Sequence, residues 1–304
     1  MGKQFRRGAV IAIGGAEDKE GDKKILSEVA RRLNGGALAL STVATAEPEE
    51  TFREYDELFR GLGVERVVRL ELEERRQAFG AESWKQLDGV SGLFFTGGDQ
   101  LRITSQLGDT PLFRRILEMH GQGMLIAGTS AGASMLSEIM PVAGHGKESL
   151  TIDLTLRMAP GFGFVEGVFI DQHFAERGRL SRMVAAVTQN PRVLGLGIDE
   201  DTACIVEGRS FTVMGSGAVY VVDASNSTWS NLTEEEPSAT LSVFDLDLHI
   251  LSDGTGYDLN ARRPKRSPEE KPRPRDLPEA AGIADLPIDA VPAPLAPRAT
   301  RSGG

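Results

Sequence analysis

One cysteine, Cys204, stands in 304 residues. A single thiol forms no internal disulfide and no cysteine-ligated metal cluster. No apolar run approaches the roughly 18 residues needed to cross a bilayer, so no membrane span is expected. Positive charge is also short. The formal net charge is −10, and the residues before Ala261 alone carry −13. A body this acidic lacks the basic face that phosphate backbones require, which argues against nucleic acid as a partner. Histidine occurs only four times, so a search for a catalytic base is short. The basic start, residues 1–7, leads into only six apolar residues before Gly14-Gly15-Ala16-Glu17-Asp18. That is too short for a secretory signal and reads as a first buried strand of a cytoplasmic protein.

What is present is an ordinary globular composition, 40% apolar and 26% charged, in a chain long enough for one large domain. The exception is the end. Nine of the fifteen prolines lie after residue 260, interleaved with Arg, Lys, Glu and Ala. Such a segment buries too little apolar surface to offset its ordering entropy. The expected organisation is a single α/β domain over 1–260 and a Pro/Arg-rich disordered tail over 261–304.

Within the body, short apolar runs at 9–13, 37–43, 66–70, 92–96, 123–128 and 168–171 read as strands. Amphipathic helical patterns at 23–33, 49–62, 112–120, 131–140 and 179–188 lie between several of them. Nearly all-apolar strands alternating with helices predict a mostly parallel sheet with helices on both faces. Closely spaced runs at 193–198, 203–206, 211–214, 218–222 and 240–250 predict antiparallel strands added to the same sheet.

Ligands of open α/β sheets bind beyond the carboxyl ends of the strands. Four strands end in glycine pairs or polar groups: Gly14-Gly15-Ala16-Glu17-Asp18, Thr96-Gly97-Gly98-Asp99-Gln100, Thr129-Ser130-Ala131-Gly132 and Asp171-Gln172-His173. The third is a G-x-S-x-G pattern, Gly128 to Gly132, between a strand and a helix. This is the setting of a nucleophile elbow, where small neighbours permit a strained turn that lifts a serine hydroxyl above the sheet. A serine that merely caps a helix is the simpler alternative.

A serine nucleophile requires a base. His120 closes a helix and His249 lies in a late strand, which leaves His173 first and His145 second. The orienting acid stays open among Glu148, Asp153, Glu166, Asp171, Asp199, Glu200 and Asp201. Backbone N–H groups of Ala131 and Gly98, with Gly15 as an alternative, would form the oxyanion hole. Asp171, Gln172, Arg177, Arg179 and Arg182, with Asp99 and Gln100, form a cluster of both charge signs suited to carboxylates and guanidinium groups. No Cys/His spacing suggests a metal, and no cofactor is expected.

These segments together resemble the cyanophycinase family of serine peptidases, which also includes dipeptidase E. The matching residues are Ile13 to Lys19, Phe95 to Gln100, Gly128 to Ser134, Asp171 to Phe174 with the following arginines, and Gly197 to Thr202. The resemblance implies a class I glutamine amidotransferase-like, flavodoxin-like fold with serine at the elbow. It implies hydrolysis of cyanophycin, poly-aspartate bearing arginine on each β-carboxyl, to β-Asp-Arg dipeptides, with cleavage of aspartyl dipeptides as the alternative activity. It further implies Ser130 as nucleophile, His173 as base and Glu148 as acid. Gln100, Asp171, Gln172, Arg177, Arg179 and Arg182 fall where the family binds substrate. A homodimer is implied as well.

Overall fold

Val10-Ile11-Ala12-Ile13 is apolar at every position and buried at every position, as a strand covered on both faces must be. In the computed structural model, which describes residues 7–143, 156–233 and 239–266, this segment is strand β1 (Val10–Ile13). It sits near the middle of a nine-stranded sheet. Beside it run β5 (Leu125–Thr129), β4 (Val90–Phe95), β2 (Ala37–Ser41) and β3 (Val67–Arg69), each parallel to its neighbour. On the other side of β1, β10 (Thr202–Glu207), β11 (Ser210–Gly215), β16 (Gly256–Asp258) and β17 (Arg263–Lys265) continue the sheet antiparallel.

The late strands were expected to extend that same sheet. Several instead build a second, six-stranded sheet, ordered β15, β12, β9, β8, β6, β7. Its parallel centre is β6 (Ser137–Ala143), β8 (Val165–Gln172) and β9 (Leu194–Ile198). β7 (Arg157–Pro160), β12 (Val219–Asp223) and β15 (Asp247–Leu251) run antiparallel at its flanks, and β13 (Trp229–Ser230) pairs separately with β14 (Val243–Phe244). The run 168–171 therefore belongs to β8 of the second sheet. Hydrophobic patterning reports which face of a strand is buried, not which strand lies beside it.

Helices fill the remaining faces. α1 (Lys24–Arg32) and α2 (Pro48–Gly61) lay Ile25, Leu26, Val29, Tyr55 and Phe59 on the Ile11, Ile13, Leu40 and Phe94 face of the first sheet. The opposite face, with Ala12, Ala39, Leu93 and Ile126, shares one apolar cluster with helix residues and with the second sheet. α4 (Gln100–Leu107) and α5 (Pro111–Gly121) contribute Ile103, Leu107, Leu112 and Ile116, and the second sheet contributes Val168, Ile170, Leu196 and Val221. Beyond the second sheet, α7 (Leu180–Gln189) covers Phe169 and Val222 with Met183, Ala186 and Val187. α3 (Ala81–Lys85) is a single short turn at the periphery.

Two boundaries move. The helix expected over 131–140 is only α6 (Ala131–Ser134), and the chain enters β6 three residues later. Pro141, inside β6, cannot continue a helix, and pairing with β7 and β8 decides the rest. At the other end, β17 lies beyond residue 260, where the proline-rich segment was expected to begin. Arg262 there donates to Asp223 at 2.5 Å and to Arg192 O at 2.6 Å. Among the described residues no helix is long and apolar enough to cross a membrane.

Candidate active site

Close packing of small residues forces the turn between β5 and α6. A Cβ on Gly128 would stand 2.2 Å from Gly132 O, and one on Gly132 would stand 2.3 Å from Phe95 O. With both flanks pinned, Ser130 takes φ 52° and ψ −114°, a conformation that side-chain-bearing residues seldom adopt. Its N–H donates to Ile13 O at 3.0 Å, and its own carbonyl accepts from Ala133 and Ser134. Because α6 is only four residues long, it adds little macrodipole, and any anion there must rely on individual N–H groups.

The hydroxyl so presented meets an imidazole. Ser130 Oγ lies 3.0 Å from His173 Nε2, although 43 residues separate them in the chain. His173 follows β8 with φ 46°, and its N–H donates to Gly14 O at 2.8 Å, which ties the ends of the two sheets together. Gly15 passes close against the ring. Its φ is +99°, and a Cβ there would be 2.3 Å from His173 Cε1. On the far side, His173 Nδ1 stands 2.5 Å from Glu200 Oε1.

Glu200 occupies the turn between β9 and β10, in the run Asp199-Glu200-Asp201. Asp199 accepts from the N–H groups of Ala175 (2.9 Å) and Ala218 (3.1 Å). Asp201 accepts from Asp18 N (2.9 Å) and Ser216 Oγ (2.8 Å), and its own N–H donates to Gly15 O. The flanking aspartates thus brace the turn, and the glutamate between them reaches the ring. Glu148, the acid implied by the resemblance, lies outside the described residues, as do Asp153 and His145. Nδ1 of a neutral imidazole offers one hydrogen-bonding position, and Glu200 holds it. Glu166 pairs with Arg7 and Arg209 at the opposite end of β8.

The serine also has N–H groups within reach of its surroundings. Gly97 passes close enough that a Cβ there would be 3.4 Å from Ser130 Cβ. Among the described residues, neither Gly98 N nor Ala131 N has an acceptor. Gly98 needs its glycine because φ is +137° and a Cβ would strike Ala44 O at 2.2 Å. Gln172 Oε1 lies 3.5 Å from Ser130 Oγ, and Gln100, at the start of α4, donates to Pro141 O at 2.5 Å.

The charged cluster beside this group differs from the expectation of a substrate-facing Asp171. That side chain is fully buried. Its oxygens accept from Arg182 Nε (2.5 Å), from Arg179 Nη1 (3.0 Å) and from Gln172 N (3.0 Å). Asp171 therefore anchors two arginines and presents no surface of its own. Burial pulls the Arg179 guanidinium down to about 10, with Asp171 opposing that loss and Arg182 and Arg177 adding to it. Arg177 is exposed, and its backbone N–H donates to His173 O. The cluster gathers two guanidinium groups, those of Arg179 and Arg182, on one internal carboxylate. The neighbourhood of the serine is consequently suited to anionic groups.

The model of peptidase family S51 matches residues 10–214. The chain belongs to that family. The matched span runs from β1 almost to the end of β11 and contains Ser130, His173 and Glu200. This member is 37% identical over 261 residues to the cyanophycinase of Synechococcus elongatus, covering 84% of this chain and 81% of that one. It is 36% identical to the cyanophycinase of Trichormus variabilis (85% and 88% covered) and 34% identical to that of Geminocystis herdmanii (86% and 97%). Its mixed α/β fold is similar to the crystal structure of a peptidase from an acI-B1 actinobacterium, with a TM-score of 0.57 and 22% identity over 81% of this chain and 98% of the other. An S51 member is a hydrolase of the serine-peptidase type.

Proposed function

We propose that this S51 peptidase is an exopeptidase that degrades cyanophycin to β-Asp-Arg dipeptides. The observation that carries the reading is the continuous relay Ser130 Oγ, His173 Nε2, His173 Nδ1, Glu200 Oε1, with heavy-atom distances of 3.0 and 2.5 Å at its two links. Its relatives named as cyanophycinases support the substrate.

In this mechanism His173 Nε2 takes the Ser130 proton as the oxygen attacks a backbone carbonyl of the polymer. Glu200 keeps the proton of the ring on Nδ1 and stabilises the imidazolium. The N–H groups of Gly98 and Ala131 receive the tetrahedral oxyanion. His173 returns its proton to the leaving amine, an acyl-enzyme forms on Ser130, and water activated by the same imidazole releases the dipeptide. Gln100 and Gln172 orient the chain, and Arg177, Arg179 and Arg182 take its carboxylates, while Asp171 holds the last two arginines in place. The surrounding negative charge favours the approach of arginine side chains, screened beyond about 10 Å.

The reading includes a scaffold of the class I glutamine amidotransferase type, a homodimer and a cytoplasmic location for a body that runs through β17, with a tail beyond it. The test is incubation with purified cyanophycin and mass analysis of the products. β-Asp-Arg released by the wild type and lost, by about 10³-fold or more, in Ser130→Ala is the expected result. Aspartyl dipeptides hydrolysed in place of the polymer would overturn it.

A further inference from the structure

Glu17 is a buried carboxylate that the proposed chemistry does not use. It sits in the loop after β1 and is only 4% exposed. One oxygen accepts from Tyr55 Oη at 2.5 Å, and the other accepts from Thr129 Oγ1 at 2.5 Å. Among the described residues no cation lies within ion-pair distance of it. Burial, and then the charge of Glu17, push the Tyr55 phenol well above its ordinary range, so it remains a donor.

A carboxylate held by two neutral hydroxyls and no cation is a costly thing to bury, and an apolar pair would serve stability at least as well. The position of its partners suggests another purpose. Thr129 is the last residue of β5 and the immediate neighbour of Ser130. The loop that carries Glu17 also touches the imidazole and the turn that bears Glu200. Gly14 O accepts from His173 N, Gly15 packs on the imidazole, Gly15 O accepts from Asp201 N, and Asp18 N donates to Asp201. Ser130 N also reaches this strand, through Ile13 O. Glu17 adds the side-chain tie between loop and elbow.

We infer that Glu17 is a positioning residue, whose carboxylate holds Thr129 and thereby sets the direction of the Ser130 hydroxyl toward His173. The inference rests on the reading of Ser130 as nucleophile. It makes the β1 loop a common mount: one segment fixes the elbow, the base and the acid-bearing turn relative to one another. An error of about 1 Å at the serine costs on the order of 10²-fold in rate, so one hydrogen bond at the neighbouring residue is enough to matter.

The test uses the full chain with Thr129→Val, which keeps the shape and removes the hydroxyl, Glu17→Leu, the double variant, and Thr129→Ser, which restores a donor. Two readouts are taken: steady-state kcat and KM for release of β-Asp-Arg, and the rate at which a fluorophosphonate probe labels Ser130. Thr129→Val and Glu17→Leu are expected to lower kcat and the labelling rate by about 10-fold or more with KM nearly unchanged. The double variant should be no slower than the worse single one, and Thr129→Ser should recover most of the loss. Thr129→Val with wild-type kcat and labelling rate overturns the inference, and this outcome is decisive even where Glu17→Leu does not fold. Labelling separates the two levels: wild type that labels but leaves the polymer intact defeats the substrate reading only, whereas wild type that does not label at Ser130 defeats the nucleophile.

Discussion

Glu200 Oε1 stands 2.5 Å from Nδ1 of His173, and the aspartates on either side of that glutamate point elsewhere. Three consecutive acids at one strand end thus do different things. Asp199 secures the segment after His173 to the loop before β12, through Ala175 N and Ala218 N. Asp201 secures the acid-bearing turn to the β1 loop. The arrangement supports an imidazole whose tautomer is chosen by Glu200 and whose free nitrogen faces Ser130.

Replacing that glutamate should therefore spoil the tautomer without disturbing the packing. Glu200→Gln is expected to lower kcat by about 10² to 10⁴-fold at neutral pH, in line with the loss seen when a triad carboxylate becomes an amide. Steady-state assays of Glu200→Gln and Glu148→Gln decide the matter. Full activity in the first and inactivity in the second would return the role to Glu148.

Gly15 has no room for a side chain. Its φ is +99° and a Cβ would overlap the His173 ring at 2.3 Å. Gly15→Ala should retain the fold by circular dichroism yet lose about 10²-fold or more in kcat, because the imidazole must move away from the serine. An alanine variant of ordinary activity would mean that the ring does not need this backing.

Asp171 is buried beneath two guanidinium groups, whose side chains are 12% and 17% exposed. Removing only the acid leaves uncompensated charge in a dry place. Asp171→Ala is expected to destabilise the protein by about 3–5 kcal/mol, measured by urea unfolding. Loss of activity with unchanged stability would instead indicate that Asp171 meets the substrate directly.

His120 supplies a pH dependence unrelated to the active site. It is buried, and its Nδ1 lies 2.9 Å from Met124 O. Burial holds its pKa below the ordinary value near 6.5, against a smaller opposing pull from Met124 O. The unfolded chain then binds the proton first as pH falls. Its contribution to stability is complete above about 6.5 and is lost downward through the lowered folded value. Urea unfolding at pH 7 and pH 5 should show this slope, and His120→Phe should flatten it. An unchanged slope in that variant would assign the acid sensitivity to other groups.

Several features of the fold were legible because they depend on neighbours in the chain. All-apolar runs such as Val10 to Ile13 marked strands covered on both faces. Gly128-Thr129-Ser130-Ala131-Gly132 pointed to the strained elbow through its place between an apolar strand and a helical pattern, since small neighbours permit such a turn. Elimination among four histidines left His173 first and His145 second. The stretch 131–140 was ambiguous by nature: small and apolar residues suit a helix or a buried strand, and pairing with β7 and β8 took its last four residues, Ser137 to Met140, into a strand while Ala131 to Ser134 stayed helical.

By itself, the sequence determined the strand runs, the elbow, the shortage of alternative bases and the presence of a mixed-charge cluster, because each is written in short-range spacing and residue type. Only the tertiary structure decided that the strands divide into two sheets, that Glu200, among the described candidate acids, reaches the ring, and that Asp171 is spent on arginines. Those outcomes depend on which distant segments pack side by side, and side-chain periodicity along one strand carries no information about its partner.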